Sequence, residues 1–194
     1  MRNAHSVDVV RAAERALMAR LPAGTLMQRA ATGLAAVCAG LAGRVYGSRV
    51  VVLAGSGDNG GDALHAGARL ARRGARVVAV AAGDKVHQEG ATALTAAGGQ
   101  LTGAGDPGLP ALIGAADLVL DGLLGIGGRG GLREPMATVA AEADRARAGG
   151  RGPAVVAVDL PSGVDADTGE VAAALREHGW GGTLRRCRAQ CLVR

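Results

Sequence analysis

Short β-branched runs alternate along this chain with segments of helical spacing, and each central run ends on a glycine-rich loop. That alternation restricts the chain to an α/β layer fold with a mostly parallel sheet. The runs from Arg49 to Ala54 (RVVVLA), Arg76 to Ala81 (RVVAVA), Asp117 to Leu120 (DLVL) and Ala154 to Asp159 (AVVAVD) read as strands. The first is apolar at successive positions, the pattern of a strand buried on both faces. A weak extra strand is expected near Gln100 and Leu101, before a Gly/Pro-rich link from Gly103 to Pro110. Helices are predicted from Gly60 to Arg73, Gln88 to Ala97 and about Glu134 to Ala148, the first two stopped by Gly74 and by Gly98 with Gly99. Two more precede the first strand between Val7 and Leu41, broken at Pro22 and Gly24.

In open parallel sheets, ligands bind beyond the carboxyl ends of the strands. Three loops fall there: Gly55-Ser56-Gly57-Asp58-Asn59-Gly60-Gly61-Asp62, the run from Asp121 to Gly131, and the run from Asp159 to Asp165. The glycines of the first let backbone N–H groups approach an anion, and the helix start behind them adds a favourable dipole. It also contains a G-x-G-x-x-G pattern, a weak signal in a chain with 33 glycines. Asp121 and Asp159 close two strands and are expected to point into one crevice. Like charges there raise each other's pKa unless a cation intervenes, so either one carboxyl keeps its proton or something positive is bound. Asn59 and Ser162 add neutral oxygen ligands, a donor set suited to a monovalent ion such as K⁺. Asp165 and Asp167 read as turn residues.

The 194 residues suffice for one domain with a real core. No apolar run approaches the roughly 20 residues of a membrane helix, and the N-terminal stretch lacks the apolar core of a secretory signal. A cytoplasmic protein with no membrane partner is expected. Cys38, Cys187 and Cys191 are too few and too unevenly placed for a disulfide framework or zinc site. The net charge of +5 comes largely from arginines scattered along helices and near the end, and the aromatic content is 1%. With so few stacking platforms, no nucleic-acid partner is expected.

In order, the segments VVLAGSGDNGGDALHAGARLARRGARV, DLVLDGLLGIGGRGGLREP and AVVAVDLPSGVDADTG, with AAERALMARLPAGTLMQRAA ahead of them, resemble the NAD(P)H-hydrate epimerase family from about Val9 to Gly169. That family's domain stands at the N-terminus of bifunctional nicotinamide nucleotide repair enzymes. The resemblance implies a Rossmann-like three-layer sandwich over residues 1–169. It implies an isomerase that interconverts the R and S forms of hydrated NADH and NADPH (NADHX and NADPHX), so that an ADP- or ATP-dependent NAD(P)H-hydrate dehydratase can restore the cofactor. Carried over by position, Asp58, Asn59, Gly60, Gly61 and Asp62 look like one substrate-binding loop. Gly125, Ile126, Gly127, Gly128, Arg129, Gly130 and Gly131 look like a second. Asp159 looks like a substrate-contacting acid/base, with Arg129 as a cation tuning it. Asn59, Asp121 and Ser162 look like ligands of one K⁺ per subunit, and a homodimer is implied.

This chain has Asp58 where relatives usually carry Asn, and Ala63 where they usually carry Gly. After Gly169 its composition shifts to an Arg-rich stretch over 170–194 with the only Trp and no β-branched run. That stretch reads as an altered or truncated ending, so the sheet is expected to lack its last strands. Two other functions compete. One is an NAD(P)-dependent oxidoreductase using the first loop, with Asp84 reading ribose. The other is a non-catalytic dimerising module of the same fold.

Overall fold

The computed structural model describes residues 5–148 and 152–171. Two helices, α1 (Val7–Met18) and α2 (Thr25–Ala42), lead into β1 (Arg49–Ala54). Then follow α3 (Asp58–Arg72), β2 (Arg76–Ala81), α4 (Gln88–Ala96), β3 (Gln100–Gly103), α5 (Leu109–Gly114), β4 (Leu118–Gly122), α6 (Met136–Arg147) and β5 (Ala154–Ala157). Gly74, at φ +87°, ends the turn after α3, a conformation that favours glycine.

The five strands lie in the order β3-β2-β1-β4-β5, and every pairing is parallel. The chain therefore winds outward from β1 in one direction, then returns and winds outward in the other. The reversal falls between β1 and β4, the place where an open α/β sheet leaves a crevice at its strand ends.

β1 shows why the sheet must be covered on both faces. Val50, Val52 and Ala54 pack with Leu64, Ala68 and Leu70 of α3 on one side, while Val51 and Leu53 pack with Ile113 of α5 and Val139 of α6 on the other. Alternating side chains of one strand thus feed two separate cores. Leu53, Leu64, Leu70, Leu94, Ile113, Leu118 and Leu120 are all but inaccessible to solvent. Truncating one of them to Ala should cost roughly 2–5 kcal/mol. Cys38 is buried in the α2–α3 side of this core, and burial pushes its thiol up to about 12, so it is an inert packing group. Cys187 and Cys191 lie outside the described residues.

β1 and β2 coincide with their predicted runs, and the weak strand after α4 forms as β3. Four elements differ from expectation, one being β4, which starts at Leu118 and runs on to Gly122, two residues past the predicted Leu120. The Gly/Pro link ends in a short helix, α5, with Pro110 near its start, where a missing N–H costs nothing. α3 begins two residues before Gly60, at Asp58. β5 stops at Ala157, although Val158 N still donates to Asp121 O at 2.9 Å, because the backbone turns at Asp159. The expectation of missing last strands falls on residues 172–194, outside the described residues. Among the described residues no helix is long and apolar enough to cross a membrane.

Candidate functional site

β1 continues one step beyond its last residue: Gly55 N donates to Gly122 O at 3.1 Å, stitching the first loop to the end of β4. A Cβ on Gly55 would overlap the Leu123 carbonyl oxygen, and one on Gly60 would overlap the Gly55 carbonyl oxygen. These two glycines are needed for backbone-on-backbone approach. The close stacking brings the start of α3 against the β4 loop. α3 is capped at Gly57 by no side chain, so its first-turn N–H groups and the positive end of its dipole face the loop region.

Asn59, in that first turn, is buried, and among the described residues neither its amide nitrogen nor its amide oxygen has a hydrogen-bond partner. Such a buried polar group costs stability unless something fills it. Gly125 lies directly against it. A Cβ built on Gly125 would stand 3.0 Å from Asn59 Oδ1 and 2.7 Å from Asp159 Oδ2. The β1, β4 and β5 loops therefore meet at one point, through Asn59, Gly125 and Asp159.

Asp159 is, among the described residues, the one non-glycine residue with positive φ, at +63°. Leu160 N donates to Val158 O at 2.8 Å across it, closing a three-residue turn. With positive φ at its centre this is the rarer, strained form of the turn. Strain of that kind, of order 1–3 kcal/mol, gathers at functional sites, and here it turns the carboxylate into the cleft.

Asp121, next to last in β4, is buried rather than turned into one crevice with Asp159 as expected, and neither it nor Ser162 lines the cleft that Asp159 enters. Its Oδ2 accepts from Ser162 N at 2.9 Å, its Oδ1 accepts from Ser162 Oγ at 2.5 Å, and Leu123 N adds a longer bond at 3.3 Å. Ser162 Oγ in turn accepts from Leu124 N at 2.9 Å. Burial raises the Asp121 pKa above its ordinary value, the Ser162 and Leu123 donors pull it back, and Asp144 nearby adds to the rise.

These loops enclose a cleft of about 410 Å³. Asp58, Asn59, Asp159 and the stretch Gly125, Ile126, Gly127, Gly128 line it. Gly60, Gly61 and Asp62 do not: Gly60 serves the packing just described, and Gly61 faces His87 and Met27. Arg129, Gly130 and Gly131 line a second cavity of about 320 Å³ that also holds Asp165 and shares Leu124 and Gly128 with the cleft. Arg129 acts electrostatically on Asp165, whose carboxyl is held low chiefly by the Thr168 and Asp167 N–H groups. The turn role expected of Asp165 is thereby observed. Asp84 lines neither space. The cleft also takes Arg11 and Glu14 from α1, which sequence reasoning missed. Nothing local marks them, since both sit in an ordinary amphipathic helix, and tertiary folding alone brings them there.

Parallel order, a strand-end cleft at the reversal point and an uncapped helix start define a Rossmann-like α/β protein with a candidate site at its strand ends. The family described as YjeF-related protein N-terminus matches residues 23–193, and the chain belongs to that family. It is 45% identical over 176 residues to the bifunctional NAD(P)H-hydrate repair enzyme Nnr of Mycobacterium tuberculosis (strain ATCC 25618 / H37Rv), covering 88% of this chain and 35% of that protein. It is 45% identical over 168 residues to the NAD(P)H-hydrate epimerase of Microbacterium testaceum, covering 86% of this chain and 62% of that one. The corresponding epimerase of Clavibacter michiganensis is 44% identical, with 84% and 70% covered. The chain thus spans about a third of the bifunctional relatives it matches. In structure it resembles yeast ynu0, YNL200c, with a TM-score of 0.76 at 20% identity, covering 88% of this chain and 75% of that one, a likeness of fold.

Proposed function

We propose that this chain is an NAD(P)H-hydrate epimerase, interconverting the R and S forms of hydrated NADH and NADPH. The observation that carries the reading is the meeting of Asn59, Gly125 and Asp159 in a cleft beside an uncapped helix start. The α3 N–H groups suit an anionic dinucleotide, and Asp159 supplies a proton-transfer group. Relatives named for this activity, 45% and 44% identical over most of the chain, point the same way.

Epimerising a ring carbon that bears a hydroxyl requires losing and regaining that group. Protonated Asp159 gives its proton to the hydroxyl oxygen. The C–O bond then breaks, its electron pair leaves with water, and the ring carries the positive charge. Water adding to the opposite face returns a proton to the carboxylate, so atoms and charge balance over the cycle. Asp58, Asn59 and the stretch Gly125 to Gly128 bind the substrate beside it. Arg129, Gly130 and Gly131 extend that surface into the adjoining cavity, and Arg129 contributes positive charge there.

Asn59, Asp121 and Ser162 would hold a potassium ion. An amide, a carboxylate and a hydroxyl are hard oxygen donors, and the buried Asn59 oxygen, without a hydrogen-bond partner among the described residues, is the observation that fits a cation. Such an ion would supply positive charge near an anionic substrate and offset the buried Asp121 carboxylate. Interconversion of two epimers serves a second activity that consumes one of them, so the functional partner is an ADP- or ATP-dependent NAD(P)H-hydrate dehydratase. The test is chiral chromatography of hydrated NADH incubated with wild type and with Asp159→Asn. Exchange by wild type and its loss in a folded variant is the expected result; undiminished exchange in the variant removes Asp159 from this role.

A further inference from the structure

Helix α1 ends four residues or more before residue 23, where the family match begins, yet it supplies two charged side chains to the cleft. Arg11 is the one basic residue lining that space among the described residues; Glu14, Asp58 and Asp159 are acidic. The Arg11 guanidinium reaches the second loop closely enough that a Cβ on Gly127 would overlap its Nη2. Among the described residues, no hydrogen bond or ion pair engages Arg11.

α1 is not loosely placed. Its first N–H, on Val7, donates to Asp167 Oδ1 at 2.8 Å, and Val7 is the helix's buried residue. Asp167 is itself fixed, since its N–H donates to Asp165 Oδ1 at 3.0 Å. A turn beyond β5 therefore anchors the start of α1, and Arg11 follows one helical turn later, over the Gly125–Gly128 stretch.

A dinucleotide brings a pyrophosphate, and hydrated NADPH a 2′-phosphate as well. In a cleft whose other charged side chains are carboxylates, such a ligand needs a cation, and a guanidinium matches phosphate through two parallel N–H bonds. We infer that Arg11 is a substrate-binding residue that pairs with a phosphate of the dinucleotide, in concert with the first turn of α3. This rests on the reading of the cleft as a dinucleotide-hydrate site and adds to it the residue that selects the phosphate.

The test uses the full chain as wild type, Arg11→Ala and Arg11→Lys. Calorimetric titration with ADP-ribose and with its 2′-phosphate reads binding without turnover. Arg11→Ala should weaken at least one probe by about tenfold or more, the usual range for a lost charge-assisted bond, and Arg11→Lys should recover part of it. In epimer exchange, KM should rise by a similar factor with kcat unchanged, because the phosphate is remote from the reacting carbon. A rise for both hydrates assigns the pyrophosphate; a rise for hydrated NADPH alone assigns the 2′-phosphate. Equal affinity of wild type and Arg11→Ala for both probes, including no binding by either protein, overturns the inference. If the probes distinguish the variants while wild type exchanges no epimers, Arg11 stands and the epimerase reading falls.

Discussion

The Asp121 carboxylate grips Ser162 at two points, the backbone N–H at 2.9 Å and the hydroxyl at 2.5 Å, across 41 residues of sequence. This pair of hydrogen bonds fastens the end of β4 to the loop beyond β5, and both residues are nearly completely buried. Ser162→Ala removes the hydroxyl donor to Asp121 and the acceptor for Leu124 N together. A buried carboxylate left short of one donor should cost about 1–3 kcal/mol. Urea denaturation of the two proteins would measure it, and an unchanged midpoint would show that the backbone N–H alone holds the clamp.

A cation held by Asn59, Asp121 and Ser162 should stabilise the fold by mass action, by roughly 2.7 kcal/mol at a concentration 100 times its Kd. Thermal melts in potassium chloride and in choline chloride at equal ionic strength would read this. The expected result is a Tm several degrees higher in potassium for wild type, and no such difference for Asn59→Ala. Equal melts of wild type in the two salts would remove the ion from the site.

How much of this was legible beforehand varied by element for physical reasons. β1 and β2 were readable to the residue because a strand buried on both faces is apolar at successive positions and bounded by glycine or charge. The convergence of Asn59 and Asp159 followed from the rule that such sheets open at their strand ends, whereas Asp121, expected in the same crevice, is buried against Ser162 instead. α5 was hidden, since six residues inside a Gly/Pro link carry no helical period. The φ of Asp159 was hidden too, as an aspartate at a strand end gives no sign of which way its backbone turns. Arg129 shows the limit of positional reading: its loop divides between two cavities, and the residue faces the one with Asp165, a separation that spacing cannot reveal.

Gly125→Ala tests whether the contact of Asn59 and Asp159 with the second loop matters to function. Gly125 is not among the positive-φ residues, so its backbone accepts alanine. The added Cβ would stand 2.7 Å from Asp159 Oδ2 and 3.0 Å from the Asn59 amide, and both flexible ends must shift. A displacement approaching 1 Å at a reacting group can cost about a hundredfold in rate. Epimer exchange should therefore fall by roughly 10- to 100-fold while the melt changes little. Gly105→Ala, where a Cβ meets nothing within 4 Å, is the control and should leave both unchanged.

His65 gives the fold an acid-sensitive point away from the cleft. It lies buried in α3, with Nδ1 3.3 Å from Gln28 Nε2, Nε2 without a partner among the described residues, and the His87 ring edge-on at 6.0 Å. Burial first, then the proximity of His87, lowers its pKa below 6.5; Arg69 and Arg72 act the same way, and Glu89 opposes them. A histidine whose folded pKa is lowered binds its proton more readily when unfolded. Its contribution is therefore constant above the unfolded value and is lost as pH falls through 6.5 toward the folded pKa. Each pH unit inside that window can remove at most about 1.4 kcal/mol for one proton. The urea midpoint should drop as pH falls below about 6.5, and His65→Gln, which has no proton to gain, should flatten that slope. If the variant keeps the full wild-type slope, another group carries the acid sensitivity.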